Sequence, residues 1–166
     1  KLGENLTPVD TVKFSCAYGH WLKKISKNNN LSVVVGRDAR KSGEMIQNLV
    51  QNSLVSLGIN VVDIGMSTTP TVELMVTKLK ADGGIIITAS HNPTQWNALK
   101  LLDGNGEFLN DEFGKEIVSI SESNDVVFSS IHNLGTISVQ KKAMDYHVES
   151  VLDLELVNTK LIKKIS

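Results

Sequence analysis

Apolar residues along the first hundred positions recur in two patterns by turns, a helical spacing of three and four and a short continuous run. Phe14, Ala17, Tyr18, Trp21, Leu22 and Ile25 share one face of a predicted helix. Thr7 stands at its N-cap, Pro8 at the first helical position where a missing N–H costs nothing, and Asp10 at capping-box spacing. Asn28, Asn29 and Asn30 end it, and residues 31–35 read as a buried strand. A second helix follows, with Ser42 as its cap and Ile46, Leu49, Val50, Leu54 and Leu57 as its apolar face, stopping at Gly58. Residues 60–64 form the next strand, and Thr69 with Pro70 cap a third helix carrying Val72, Met75, Val76 and Leu79. Residues 84–88, Gly-Ile-Ile-Ile-Thr, are a strand apolar on both faces.

Strand and helix in alternation argue for parallel pairing through right-handed crossovers, with helices covering both faces of the sheet. The predicted fold is α/β, a three-layer αβα domain with a mostly parallel mixed sheet. The mixed character comes from residues 98–102, a strand, and the Asp-Gly-Asn-Gly turn at 103–106, which leads into residues 107–109 and makes one antiparallel edge. Asp103, Asn105 and Glu107 alternate as calcium ligands do, but without the remaining spacing of an EF-hand, so turn chemistry is the better account. Asn110 or Asp111 starts a helix with Phe113, Ile117 and Ile120. Residues 121–134 read only as a connection.

In open α/β sheets, ligands bind at the carboxyl edge of the strands. Three loops arrive there. The one after residue 88 carries Ala89-Ser90-His91-Asn92-Pro93, so Ser90 is presented on a tight turn ended by a residue that cannot continue a strand. An imidazole at His91 and a cation at Lys100 are available to activate a hydroxyl. The same residues also serve simply as turn formers. The loop at 36–43 holds Arg37, Asp38, Arg40 and Lys41, either a phosphate-facing set of cations or a salt-bridged turn with Asp38 pairing Arg37 or Arg40. The third loop places threonines at a helix N-terminus, where caps are a sufficient reason for them.

Composition narrows the classes. The 166 residues carry a net charge of −1 with both signs interspersed, which gives no basic field for nucleic acid and no polybasic patch for a membrane surface. No apolar run approaches the roughly 18 residues of a membrane span, and no signal-peptide core opens the chain, so a cytoplasmic protein is expected. Cys16, the single cysteine, reads as a small buried side chain. No metal-spaced His/Cys cluster occurs.

Thr88-Ala89-Ser90-His91-Asn92-Pro93, followed by Asn97 and Lys100, resembles the active-site loop of the α-D-phosphohexomutases, the phosphoglucomutase, phosphomannomutase and phosphoglucosamine mutase family. The Gly-Arg-Asp-x-Arg run and the Thr-Pro at 69–70 extend the resemblance back through the preceding elements. It implies that Ser90 carries a phosphoryl group, donates it to a hexose phosphate to form a hexose 1,6-bisphosphate, and takes one back from the sugar's other end. It places Lys100 as a cation beside the reacting phosphate, His91 among the catalytic groups, and Arg37 and Asn92 with the substrate. Mg²⁺ is the implied cofactor, met in this chain only through the phosphate of Ser90. The resemblance covers the first of four domains: residues 1–138 correspond to domain I without its Gly-Ile-Arg-Gly segment, and 139–166 to a linker and the start of domain II. The metal loop, the sugar-recognition loop and the remaining domains, its expected partners, lie outside, so the chain alone is expected to be inactive. Trp96 and Ala98 depart from the commonest pattern, and Gln-Trp-Asn-Ala-Leu-Lys at 95–100 is most similar to phosphoglucosamine mutase-like members. A non-catalytic sugar-phosphate-binding module and a serine hydrolase are the alternatives; for the second, no orienting acid or oxyanion hole stands in recognisable order.

Overall fold

The structure, a computed structural model, describes residues 1–4, 6–123 and 125–165, the last three of these by their backbone alone. The elements follow in the order α1 (Pro8–Ile25), β1 (Ser32–Arg37), α2 (Gly43–Ser56), β2 (Asn60–Met66), α3 (Thr69–Leu79), β3 (Gly83–Ile87), β4 (Leu99–Leu102) and α4 (Asp111–Ser123). A 3-10 turn (Ile131–Asn133), β5 (Ile137–Val139), α5 (Ala143–Leu152) and α6 (Thr159–Ile165) complete it. The strands form one mixed sheet in the order β4-β3-β1-β2-β5. β1 pairs in parallel with both β2 and β3, and only β4, against β3, is antiparallel.

Side-chain alternation along the central strands divides the core in two. Val33 and Val35 of β1 and Ile85 and Ile87 of β3 pack with Ala17, Tyr18, Trp21 and Leu22 of α1, Ile46, Val50 and Leu54 of α2, and Ile117 of α4. Val34 and Ile86 face the other way, onto Val72, Met75 and Val76 of α3 and Ala143 of α5. Helices therefore cover both faces, as the continuous apolar strands require. Each large side chain removed from water here contributes roughly 1.5–3 kcal/mol.

The capping box of α1 is formed: Thr7 Oγ1 accepts the Asp10 amide at 3.1 Å, and Asp10 Oδ2 accepts the Thr7 amide at 2.8 Å. Hydrogen bonding by the Thr7 hydroxyl, then by its backbone N–H, holds the Asp10 carboxyl below the usual aspartate range. Two buried aromatic side chains fasten α1 to what lies beneath. The Tyr18 phenol donates to Leu102 O at 2.6 Å and lies 3.3 Å from Gly84 O, across the β3–β4 pair. Trp21 donates Nε1–H to Glu116 Oε2 at 3.1 Å and packs on Phe113, which docks α4. Cys16 is buried, and burial raises its thiol pKa, tempered by a hydrogen bond with Ser53.

Several local expectations are corrected. Ser42 makes no capping hydrogen bond; its hydroxyl instead accepts from the Asn97 side chain at 3.0 Å, tying the start of α2 to the Ser90 loop. Thr68, not Thr69, caps α3, because its extended backbone leaves Oγ1 facing the Thr71 amide. Beyond the 103–106 turn the antiparallel ladder shrinks to a bridge between Leu102 and Phe108. Asp103 Oδ1 accepts the Asn105 and Glu107 amides, as turn chemistry implies. β5 has no counterpart among the elements read from the sequence. The helix at the expected start of domain II, which has little in the chain's own pattern to pack against, does find a partner: Ala143 of α5 is buried against α3, and Thr71 Oγ1 lies 2.8 Å from His147 Nδ1.

Candidate active site

Because β1 and β3 are hydrogen-bonded neighbours, with Arg37 opposite Ile87, the loops that follow them emerge side by side. The Asp38 amide extends this pairing by donating to Ile87 O at 3.1 Å. Ser90 is exposed on the second loop with φ +52, one of two non-glycine residues in the left-handed region among the described residues. That conformation costs an L-residue about 1–2 kcal/mol, so it persists only where surrounding bonds hold it.

Those bonds are numerous. The Ser90 amide donates to Thr88 Oγ1 at 3.0 Å, and that hydroxyl donates to Asp38 Oδ2 at 2.7 Å. Both the backbone N–H and the side-chain amide of Asn92 donate to Ala89 O at 3.0 Å. Arg40 reaches up from the first loop: Nη1 donates to Pro93 O (2.8 Å) and Trp96 O (3.0 Å), Nη2 to Ser90 O (2.8 Å) and Asn92 O (2.7 Å). Its Nε–H goes to Asp38 Oδ2 at 3.1 Å. A guanidinium has five N–H donors, and all five are committed.

Of the residues singled out in the sequence, Ser90, His91 and Asn92 sit together on this turn. Ser90 Oγ and His91 Nδ1 are 3.4 Å apart, the long limit of a hydrogen bond, and both side chains face solvent. Asn92 uses its amide within the turn. Arg37 lies at the end of β1, bracing Nε on Gln47 Oε1 (2.8 Å) and Nη1 on Asp38 O (3.1 Å), while Gln47 is held in turn by Asp63. Two of its five donors are thus used among the described residues. Gly43 makes room for it: a Cβ there would stand 3.1 Å from Arg37 Cδ. Lys100 is opposite Ile86 across the β3–β4 ladder, so its stem leaves on the α3 face, and its ammonium lies 5.5 Å from the Phe108 ring centroid. A groove of about 780 Å³ between α1 and α2, bounded by Phe128, holds none of these residues; Ser90 stands on an open edge.

Residues 1–127 match the model of the phosphoglucomutase/phosphomannomutase alpha/beta/alpha domain I. This chain belongs to that family. A phosphoglucomutase/phosphomannomutase of Thermococcus kodakarensis is 43% identical over 109 residues, covering 66% of this chain and 24% of its own length. A phosphoglucosamine mutase of Helicobacter pylori is 37% identical over 130 residues, covering 78% and 29%. A solved protein of Thermus thermophilus superposes with a TM-score of 0.76 at 27% identity, over 93% of this chain and 34% of that one. The chain therefore spans about a quarter to a third of the length of these family members. A Burkholderia thailandensis family protein, at 24% identity and a TM-score of 0.74, shares the fold.

The sequence placed Arg37 in the site and left Arg40 either in a phosphate-facing set of cations or as an ion-pair partner of Asp38. The pairing is with Arg40. Its reach to the Ser90 loop, across about fifty residues of chain, had no local signal.

Proposed function

We propose that the chain is the serine-bearing domain of a phosphohexose mutase that moves phosphate between the 1- and 6-positions of a hexose phosphate. The observation that carries this reading is Ser90 itself, exposed at the carboxyl edge of the sheet on a turn held in a costly conformation by hydrogen bonds of the Thr88, Asn92 and Arg40 side chains. The relatives named as phosphoglucosamine mutase and phosphoglucomutase/phosphomannomutase support the substrate class, with phosphoglucosamine, phosphomannose or phosphoglucose as the sugar.

In the proposed reaction, the phosphorus–Oγ bond of phospho-Ser90 breaks as a sugar hydroxyl oxygen bonds to phosphorus, and the hydroxyl proton passes to a base. The resulting hexose 1,6-bisphosphate then returns its other phosphoryl group to Ser90 Oγ. With little covalent work for protein side chains, positioning and charge neutralisation decide the rate. Arg37, with donors to spare, is assigned to a substrate phosphate, Lys100 to the reacting one, and His91, within reach of Ser90 Oγ, to the proton or a phosphoryl oxygen. Asn92 is assigned to the shape of the substrate-facing turn.

The side-chain donors of the described residues do not compose a Mg²⁺ site. Among the described residues no three His, Cys, Asp or Glu side chains gather around a common point, and the carboxylate under the loop, Asp38, is engaged by Arg40 and Thr88. A Mg²⁺ ion would meet this chain only through an oxygen of phospho-Ser90, and its other ligands would come from the family's further domains. Those domains would also close the open edge, so the chain alone is proposed to be inactive. No described helix is long and apolar enough to cross a membrane; a cytoplasmic enzyme is proposed.

The test is peptide mapping by mass of the full-length parent, purified with Mg²⁺, before and after hexose 1,6-bisphosphate. Phosphate confined to the Ser90 peptide, discharged by a hexose monophosphate and lost in Ser90→Ala, is the expected result. A parent that binds sugar phosphates with Ser90 never phosphorylated is instead a binding module.

A further inference from the structure

We propose that Arg40 is a positioning residue for phosphoryl transfer at Ser90, an inference that rests on the phosphoserine reading above. The Arg40 side chain is 11% exposed, and its five donors all end on protein acceptors. It has none left for a substrate phosphate. Its charge is permanent, so four carbonyl dipoles of the serine loop are drawn toward one fixed point, itself anchored on Asp38.

The consequence follows from the planar trans peptide, in which C=O and the next N–H point in opposite directions. No cis bond occurs among the described residues. Drawing in the carbonyls of Ser90, Pro93 and Trp96 turns the amides of His91, Thr94 and Asn97 away from the guanidinium. None of these three N–H groups donates a hydrogen bond among the described residues. The carbonyl of Asn92 precedes Pro93, which has no N–H to offer. The clamp thus sets the left-handed turn at Ser90 and leaves amides on the face opposite Arg40, where fixed donors stabilise an oxyanion without reorganising. Arg40 acts on the phosphate only through the loop.

The test compares wild type, Arg40→Ala and Arg40→Lys in the full-length parent. Lysine keeps the charge but lacks the fork that spans four carbonyls. In both variants amide hydrogen exchange should rise across residues 89–97 while that of β1 amides stays at the wild-type rate. Phosphoryl transfer, read as kcat and as the rate of Ser90 phosphorylation by hexose 1,6-bisphosphate, should fall about 100-fold, the scale of a misplacement near 1 Å. KM should stay within about threefold, and added guanidinium should restore part of kcat in Arg40→Ala, which a general loss of structure does not allow. Wild-type transfer rates in Arg40→Lys overturn the proposal, even if Arg40→Ala fails to fold; so does loop exchange that does not change. A wild-type protein whose Ser90 never takes phosphate overturns the underlying functional reading instead, and the exchange comparison alone then decides the clamp.

Discussion

The Ser90 amide donates to the hydroxyl of Thr88, two residues back along the chain, at 3.0 Å. The same hydroxyl donates its proton to Asp38 Oδ2, so one small side chain connects the turn that presents Ser90 to the carboxylate that anchors Arg40. Thr88 is buried, which makes both bonds worth more than their exposed counterparts.

Thr88→Val keeps the shape and removes both halves of this connection. With the Ser90 amide and Asp38 each losing a partner, stability should fall by about 1–3 kcal/mol, and phosphate uptake at Ser90 should slow. Urea denaturation and phosphopeptide kinetics on the parent measure the two effects. Wild-type values in both would show the bond to be dispensable.

Tyr18 imposes a glycine on the sheet. A Cβ on Gly83 would stand 2.1 Å from the phenol oxygen and 2.9 Å from Leu102 O. Gly83→Ala should therefore destabilise by about 1–3 kcal/mol through overpacking. Tyr18→Phe removes the clashing oxygen, so the double variant should be more stable than the two single effects added together. A double-mutant cycle read by thermal melting decides this; additivity would place the strain elsewhere.

Stability should also turn over at both ends of the pH scale. Burial, opposed by a backbone hydrogen bond with Gly84 and reinforced by the Asp103 and Asp82 charges, raises the Tyr18 phenol well above its ordinary 10.0. Above pH 10.0 the unfolded chain releases this proton and the folded chain keeps it. Stability is therefore whole below that pH and falls as pH rises beyond it. Asp10 has the opposite sign: with its carboxyl lowered from 3.8, its contribution is present above that pH and lost as pH falls through the folded value. Denaturant midpoints across pH should show a shallower alkaline limb in Tyr18→Phe and a shallower acid limb in Asp10→Asn. Unchanged limbs would assign the slopes to other groups.

How legible each part was follows from how far apart its causes lie in the chain. Helical spacing in α1 to α4, the capping box at Thr7 and Asp10, and the unbroken apolar run of β3 depend on neighbours within a turn or a strand, and all were readable. β5 was not, because Ile137, Ser138 and Val139 alternate over only three residues, all of them exposed, too short a run to mark a strand; pairing with β2 makes them one. Ser42 misled for a related reason. A serine before a helix is a sound capping signal, but Asn97, more than fifty residues on, takes its hydroxyl.

By itself the sequence determined the α/β class, the edge of the sheet where the candidate loops emerge, and Ser90 as the residue displayed there. Each of these is written in local periodicity or in a contiguous hexapeptide. Only the tertiary structure divided the labour between Arg37 and Arg40. In the chain they are two similar cations three positions apart. In space Arg37 is braced by Gln47 with donors remaining, while Arg40 is wholly taken up by four carbonyls of a loop that only the parallel pairing of β1 and β3 brings within its reach.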